Sequence, residues 1–151
     1  MTPTDQYYLS PGKCVGNLHS LECMLRVVLM KHYHETESGL ELNEGDSCRA
    51  TWLTNYKTLG ELIDAYHQIV PSEFKLDKKS VLKFRDAIAH GRSVNKGDAL
   101  QTLIKFSPVK GGMVSVMSRI DLTEGYLKQM VMDFYNQVIK VHNYHIKYQP
   151  N

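Results

Sequence analysis

Apolar residues recur three and four positions apart in four stretches of this chain and alternate in one. Leu18, Leu21, Leu25, Val28 and Leu29 predict a long first helix over roughly residues 17–37, with Asn17 as N-cap and Ser38-Gly39 as its stop. Leu59, Leu62, Ile63 and Tyr66 predict a second helix, opened by Thr58 with Glu61 in capping-box position and closed by Pro71. Val81, Phe84 and Ile88 give the core face of a third helix, which opens near Asp77 and ends at His90 before Gly91. A closing helix follows Thr123, with Leu127, Met130, Val131, Phe134, Val138 and Val141 in phase to about Tyr148. Leu100 to Ser107 and Met113 to Ile120 alternate in part and read as two strands of a hairpin. The segment from Ala50 to Tyr56, which holds the sole tryptophan, fits either a helical turn or an extended connector.

Residues 1–16, with Pro3, Pro11, Gly12 and Gly16 and no period, predict an irregular N-terminal arm. The remainder, residues 17–151, has the size of one domain. The predicted fold class is all-α, a bundle of four to five helices with a small β-hairpin before the last.

No apolar run approaches the roughly 18 residues of a membrane span, and Met1 to Asp5 lacks the regions of a signal peptide. The expectation is a soluble cytoplasmic protein with no membrane partner. Cys14, Cys23 and Cys48 are odd in number and share no C-x-x-C spacing, which argues for free thiols. The net charge of +2 is uninformative, but its distribution is not. Between Lys75 and Lys96 seven cations face two acids, while the stretch from Glu35 to Asp46 contains five acids and no lysine or arginine. The acidic stretch reads as a solvated loop with turn chemistry at Asn43-Glu44-Gly45-Asp46.

The basic stretch contains the one segment with a chemical programme, Lys83 to Arg92. At about 100° per residue, Lys79, Lys83, Asp86 and His90 form a polar stripe opposite the core face, and Asp86 and His90 are i, i+4 neighbours that can meet. Leu82 and Ala89 occupy a small apolar sector between that stripe and Arg85, which suggests a partner helix there. Gly-rich phosphate loops, G-x-S-x-G and H-E-x-x-H are missing, as are aromatic residues interleaved with lysines in the manner of RNA-recognition motifs. His32 and His34 point apart on a helix, and His142 and His145 have no acidic or thiol ligand near in sequence, so neither a metal nor another cofactor is expected.

Arg85-Asp86-Ala87-Ile88-Ala89-His90 resembles the R-[polar]-x(3)-H signature of the HEPN superfamily, whose helical bundles have a long first helix, the motif at a later helix end and a long closing helix. Thr58-Leu59-Gly60-Glu61-Leu62 also resembles the family, and the likeness covers most of the chain from about Asn17. Many family members have tyrosine two residues after the histidine, where this chain has Arg92. The resemblance implies a metal-independent endoribonuclease whose site forms across a homodimer, of the kind found as toxins of toxin-antitoxin pairs or as antiviral effectors. Arg85, Asp86 and His90 would be catalytic: His90 from each chain as base and acid, Arg85 on the phosphate, Asp86 orienting His90. Lys79, Lys83 and Arg92 would attract RNA, Leu82 and Ala89 would form the dimer seam, and an antitoxin protein would be a further partner. The alternative is a non-catalytic module that binds a nucleotide or a protein through the basic stripe.

Overall fold

The computed structural model describes residues 3–36, 42–96 and 99–149. The elements are α1 (Pro3–His32), α2 (Leu59–Ile69), a single 3-10 turn (Ser72–Phe74), α3 (Lys78–His90), β1 (Arg92–Lys96), β2 (Ala99–Phe106), β3 (Val116–Asp121) and α4 (Glu124–Tyr148). The strands form one antiparallel sheet in the order β1-β2-β3. The all-α expectation is therefore corrected: this is a mixed fold, mostly helical, in which a three-stranded sheet packs beside the helices. β2 and β3 form the predicted hairpin, and β1 is a third strand beyond it. Its only apolar residue is Val94, so no alternation marks it. Pairing of Arg92 with Ile104, Ser93 with Leu103 and Val94 with Thr102 makes it a strand.

The segment predicted as an irregular arm is also corrected, because α1 runs from Pro3 through Pro11 as one helix. The core stripe begins earlier than the leucine pattern indicates: Cys14 is fully buried one turn before Leu18. Its thiol points at the Leu127 carbonyl at 3.9 Å, and burial pushes its pKa up to about 11. At the other end α1 stops at His32, short of the predicted boundary. His34 adopts φ 53°, its N–H reaches the Lys31 carbonyl, and the Glu35 N–H reaches that of Met30. This is a Schellman cap with histidine at the position that usually holds glycine. Ser38-Gly39, the predicted stop, lies outside the described residues.

α1 and α4 are the structural spine and run in the same direction. Cys14 lies beside Leu127, Asn17 Nδ2 donates to the Val131 carbonyl, and Gln149 Nε2 donates to that of Val28. Leu21, Leu25, Val28 and Leu29 of α1 and Phe134 and Val141 of α4 are almost completely buried, each burial contributing about 1.5–3 kcal/mol of transfer free energy. α2 has the predicted capping box, with the Thr58 N–H donating to Glu61 at 2.7 Å and Thr58 Oγ1 accepting from the Glu61 N–H. α4 is capped by Thr123 Oγ1, which accepts from the Tyr126 N–H at 3.1 Å. α2 and α3 lie antiparallel, joined by the Lys78–Asp64 ion pair at 2.6 Å and by Leu82 against Gly60. α3 buries Val81 and Phe84 as expected, with the Phe84 ring 5.1 Å from Phe134, but its third buried residue is Ala87 rather than Ile88. β2 packs on that side of the helix and rotates the buried arc toward the sheet.

Two predictions follow from this packing. His34→Gly relieves a left-handed conformation that costs a side chain about 1 kcal/mol, so the variant should unfold at higher urea by roughly that free energy; an unchanged or lower midpoint would refute the cap assignment. The second concerns His67, whose Nε2 accepts the Leu76 N–H at 2.9 Å and must be unprotonated to do so. Burial, then the charge of Lys75, holds its pKa below the ordinary value. A depressed folded pKa means that this contribution is complete above the unfolded value near 6.5 and is lost as pH falls through the lower folded value. His67→Gln keeps the acceptor without titrating, so its stability should fall less steeply than wild type when urea midpoints are compared at pH 7.5 and pH 5.

Candidate functional site

The Arg85 to His90 segment forms the last turns of α3, where helix, sheet and connector meet. Asp77 caps the start of α3 by accepting from the Ser80 N–H at 3.0 Å, and Gly91 ends it with its N–H on the Ala87 carbonyl at 2.8 Å. Gly91 is there for space: a Cβ would collide with the Ala87 carbonyl oxygen and press on Leu103. The chain can therefore pass directly from His90 into β1, which fixes the motif against the sheet.

Within the motif the polar side chains do not pair as the i, i+4 spacing allows. Asp86 Oδ1 accepts from Arg85 Nη1 at 3.3 Å and Oδ2 accepts from Lys105 Nζ at 3.2 Å. The expected orientation of His90 by Asp86 is thus corrected, since the carboxylate is taken by two cations and His90 makes no hydrogen bond among the described residues. Charge-assisted bonds to two cations satisfy both oxygens of the carboxylate. Partial burial works to raise the Asp86 pKa, but Lys105 and Arg85 together outweigh it and hold the carboxyl below its ordinary value.

Lys105 was missed in the sequence. The available signal was its phase: it lies two residues beyond the core residue Leu103, so β2 turns a lysine toward the helix layer. Lys79 and Lys83 are exposed on α3, and Arg92 is exposed with its guanidinium 5.6 Å from the Phe106 ring centre. Lys83, Arg85, Arg92 and Lys105 give the end of α3 a cationic surface, and Lys79 adds a further cation on its first turn.

Arg85 and His90 open onto different clefts. His90 and Arg92 share a cleft of about 330 Å³ with Phe106, Pro108, Val109 and Val114 of the hairpin. Arg85 lies at a groove of about 660 Å³ bounded by α1, α3 and the connector before α2. Ile88 and Ala89 line that same groove. Of the apolar sector expected to meet a partner helix, Leu82 packs against Gly60 of α2 within the chain, while Ala89 stands exposed at the groove.

The groove's far wall is the connector, which resolves as a turn at residues 52–54 followed by an extended run into Thr58. Arg26 of α1 holds it in place. Its Nε and Nη2 donate to Glu22 Oε1, Nη1 donates to the Trp52 and Asn55 carbonyls and to Asn55 Oδ1, and Nη2 also reaches the Lys57 carbonyl, all between 2.9 and 3.2 Å. Trp52 completes the anchor by stacking its ring on Tyr33 with centroids 5.5 Å apart and donating its main-chain N–H to Glu35 Oε2 at 2.6 Å. The first residue of the acidic stretch thus has a structural task rather than lying free in solvent.

Among the described residues no three His, Cys, Asp or Glu side chains converge in a way that could hold a metal ion, and no helix is long and apolar enough to cross a membrane. His145 Nδ1 lies 3.2 Å from Gln149 Oε1. Comparisons with protein-family models, curated proteins and solved structures find no match to the chain in any of the three.

The Arg26 assembly generates a test of the groove. Arg26→Ala leaves Glu22 without its partner and three connector carbonyls without donors, so it should cost about 2–4 kcal/mol in urea unfolding and shift Trp52 emission toward that of an exposed indole. Wild-type stability and emission would show that the connector is held by other means.

Proposed function

We propose that this chain is a metal-independent endoribonuclease that acts in the cytoplasm as a homodimer, in the role of a toxin-antitoxin toxin or antiviral effector. The observation that supports it most is the end of α3, where Arg85 and His90 stand exposed beside Arg92 and Lys105, with Lys83 just before them and Lys79 on the first turn of the same helix. The reading of an antitoxin partner and of a defence role rests on the resemblance of Arg85, Asp86 and His90 to the HEPN signature. RNA supplies its own nucleophile, so the protein needs a base, an acid and a cation for the phosphorus oxygens.

In this mechanism one His90 takes the proton of the 2'-hydroxyl, whose oxygen attacks the adjacent phosphorus. Arg85 stabilises the charge that gathers on the non-bridging oxygens. The bond to the 5'-oxygen breaks as the partner subunit's His90 gives that oxygen a proton, leaving a 2',3'-cyclic phosphate and a 5'-hydroxyl. Asp86 fixes Arg85 and Lys105 in this arrangement instead of orienting His90. A second chain is required because one chain presents one motif histidine. Exposed Val109, Met113, Val116 and Met117 on the hairpin beside the His90 cleft offer that chain an apolar contact surface.

The second reading, a non-catalytic module that binds a nucleotide or a protein, is favoured by the separation of Arg85 and His90 into two clefts. Incubation of the purified chain with RNA in excess EDTA decides between them. Cleavage with cyclic-phosphate ends is expected for wild type, and a loss of about 100-fold or more for His90→Ala, the scale of one lost acid-base group. Intact RNA with wild type, or equal cleavage by His90→Ala, would rule the nuclease out.

A further inference from the structure

Two arginines line the groove between α1, α3 and the connector, and the fold commits only one of them fully. Arg26 has Nε, Nη1 and Nη2 all engaged, whereas Arg85 uses Nη1 alone among the described residues, at 3.3 Å to Asp86. Nε and Nη2 of Arg85 remain as donors, in the planar fork suited to a phosphate. Below them the groove floor is apolar, with Leu18, Leu59 and Ile88, and on its rim the Tyr56 ring is wholly exposed beside Lys57. An exposed aromatic ring on the rim of an apolar groove, with cations at the mouth, is the combination that accepts an unstacked nucleobase and its phosphate.

We infer that this groove is a base subsite for single-stranded RNA, in which a nucleobase lies against Tyr56 over the apolar floor while Arg85 holds its phosphate. The inference rests on the ribonuclease reading for its choice of RNA. Its volume of about 660 Å³ is ample for one nucleotide, within the usual range of about 300–1,000 Å³ for small-ligand clefts. A duplex keeps its bases stacked and cannot deliver one here. A free mononucleotide can enter but engages this groove alone. Arg85 and His90 are about 7.5 Å apart along the axis of α3, at 1.5 Å per residue, so the phosphate that Arg85 holds is the one that is cut and the strand beyond it runs on around the helix to the His90 and Arg92 cleft. The groove then fixes the base on one side of the scissile phosphate, and the other cleft takes the strand on the other side.

Trp52 is the only tryptophan and stacks on Tyr33 with Lys57 above it, so its fluorescence reports on the groove wall. The full-length chain would be titrated with a 2'-O-methyl hexanucleotide, which lacks the nucleophile and cannot be cut, with the same sequence as a duplex, and with a nucleoside monophosphate. Binding of the single strand at least about 10-fold tighter than either competitor is expected. Tyr56→Ala should weaken it by about 10-fold, in line with the loss of one stacked base, with the melting temperature unchanged because Tyr56 buries nothing. Ala89→Trp, which fills the groove from an exposed position, should weaken it at least as much. Equal binding of the duplex or the mononucleotide, or wild-type affinity in Tyr56→Ala, would overturn the subsite. Cleavage of natural RNA with unchanged kcat/KM in Tyr56→Ala would remove the groove and leave the nuclease. Tyr56-dependent binding without cleavage by wild type would remove the nuclease and leave the groove.

Discussion

The guanidinium of Arg26 is the constraint on which the geometry around α3 depends. Its side chain is 13% exposed, and a cation so placed must have its charge and its donors satisfied inside the protein. Glu22, one turn earlier on α1, supplies the charge. The connector supplies carbonyls from residues that belong to no helix or strand and would otherwise need partners of their own. One side chain therefore converts an irregular segment into a fixed wall, delivers Thr58 to cap α2, and sets the width of the groove at which Arg85 sits.

α3 is held between that groove and the sheet, and the split of its polar residues follows from the two neighbours. The groove side receives Arg85, Ile88 and Ala89. On the sheet side, β2 brings Lys105 to Asp86, and tight passage through Gly91 leaves His90 and Arg92 under the hairpin. In the proposed chemistry this arrangement makes the carboxylate a clamp for cations and leaves the imidazole free to take and give a proton.

What the sequence discloses is what depends on local chemistry. Thr58 with Glu61, Asp77 before α3 and Thr123 before α4 each satisfy orphan helix donors within three residues, and each marks its helix start correctly. The hairpin of β2 and β3 shows through its partial alternation. β1 does not show, because a strand with one apolar residue is defined by its neighbour rather than by its own pattern. The end of α1 is hidden because histidine, not glycine, takes the left-handed position. The Arg26 assembly is hidden for another reason: its acceptors are main-chain carbonyls, which every residue has. Of the candidate site, the residue types were legible, while the partner of Asp86 required knowing that β2 lies across α3.

The parallel pairing of α1 and α4 has a consequence in time. The hydrogen bonds that join them link residues 113 to 121 positions apart, so α1 is completed by a helix made more than a hundred residues later. On the ribosome, Leu21, Leu25, Val28 and Leu29 stay without the cover that α4 gives them until that helix has left the exit tunnel, and long-range pairing of this kind delays folding. A nascent chain in that state lacks Phe134, on which Phe84 packs, so the helix that carries Arg85 and His90 is without its support beside the messenger that encodes it. For a protein proposed to cut RNA, late closure of the spine separates translation from activity without any second component.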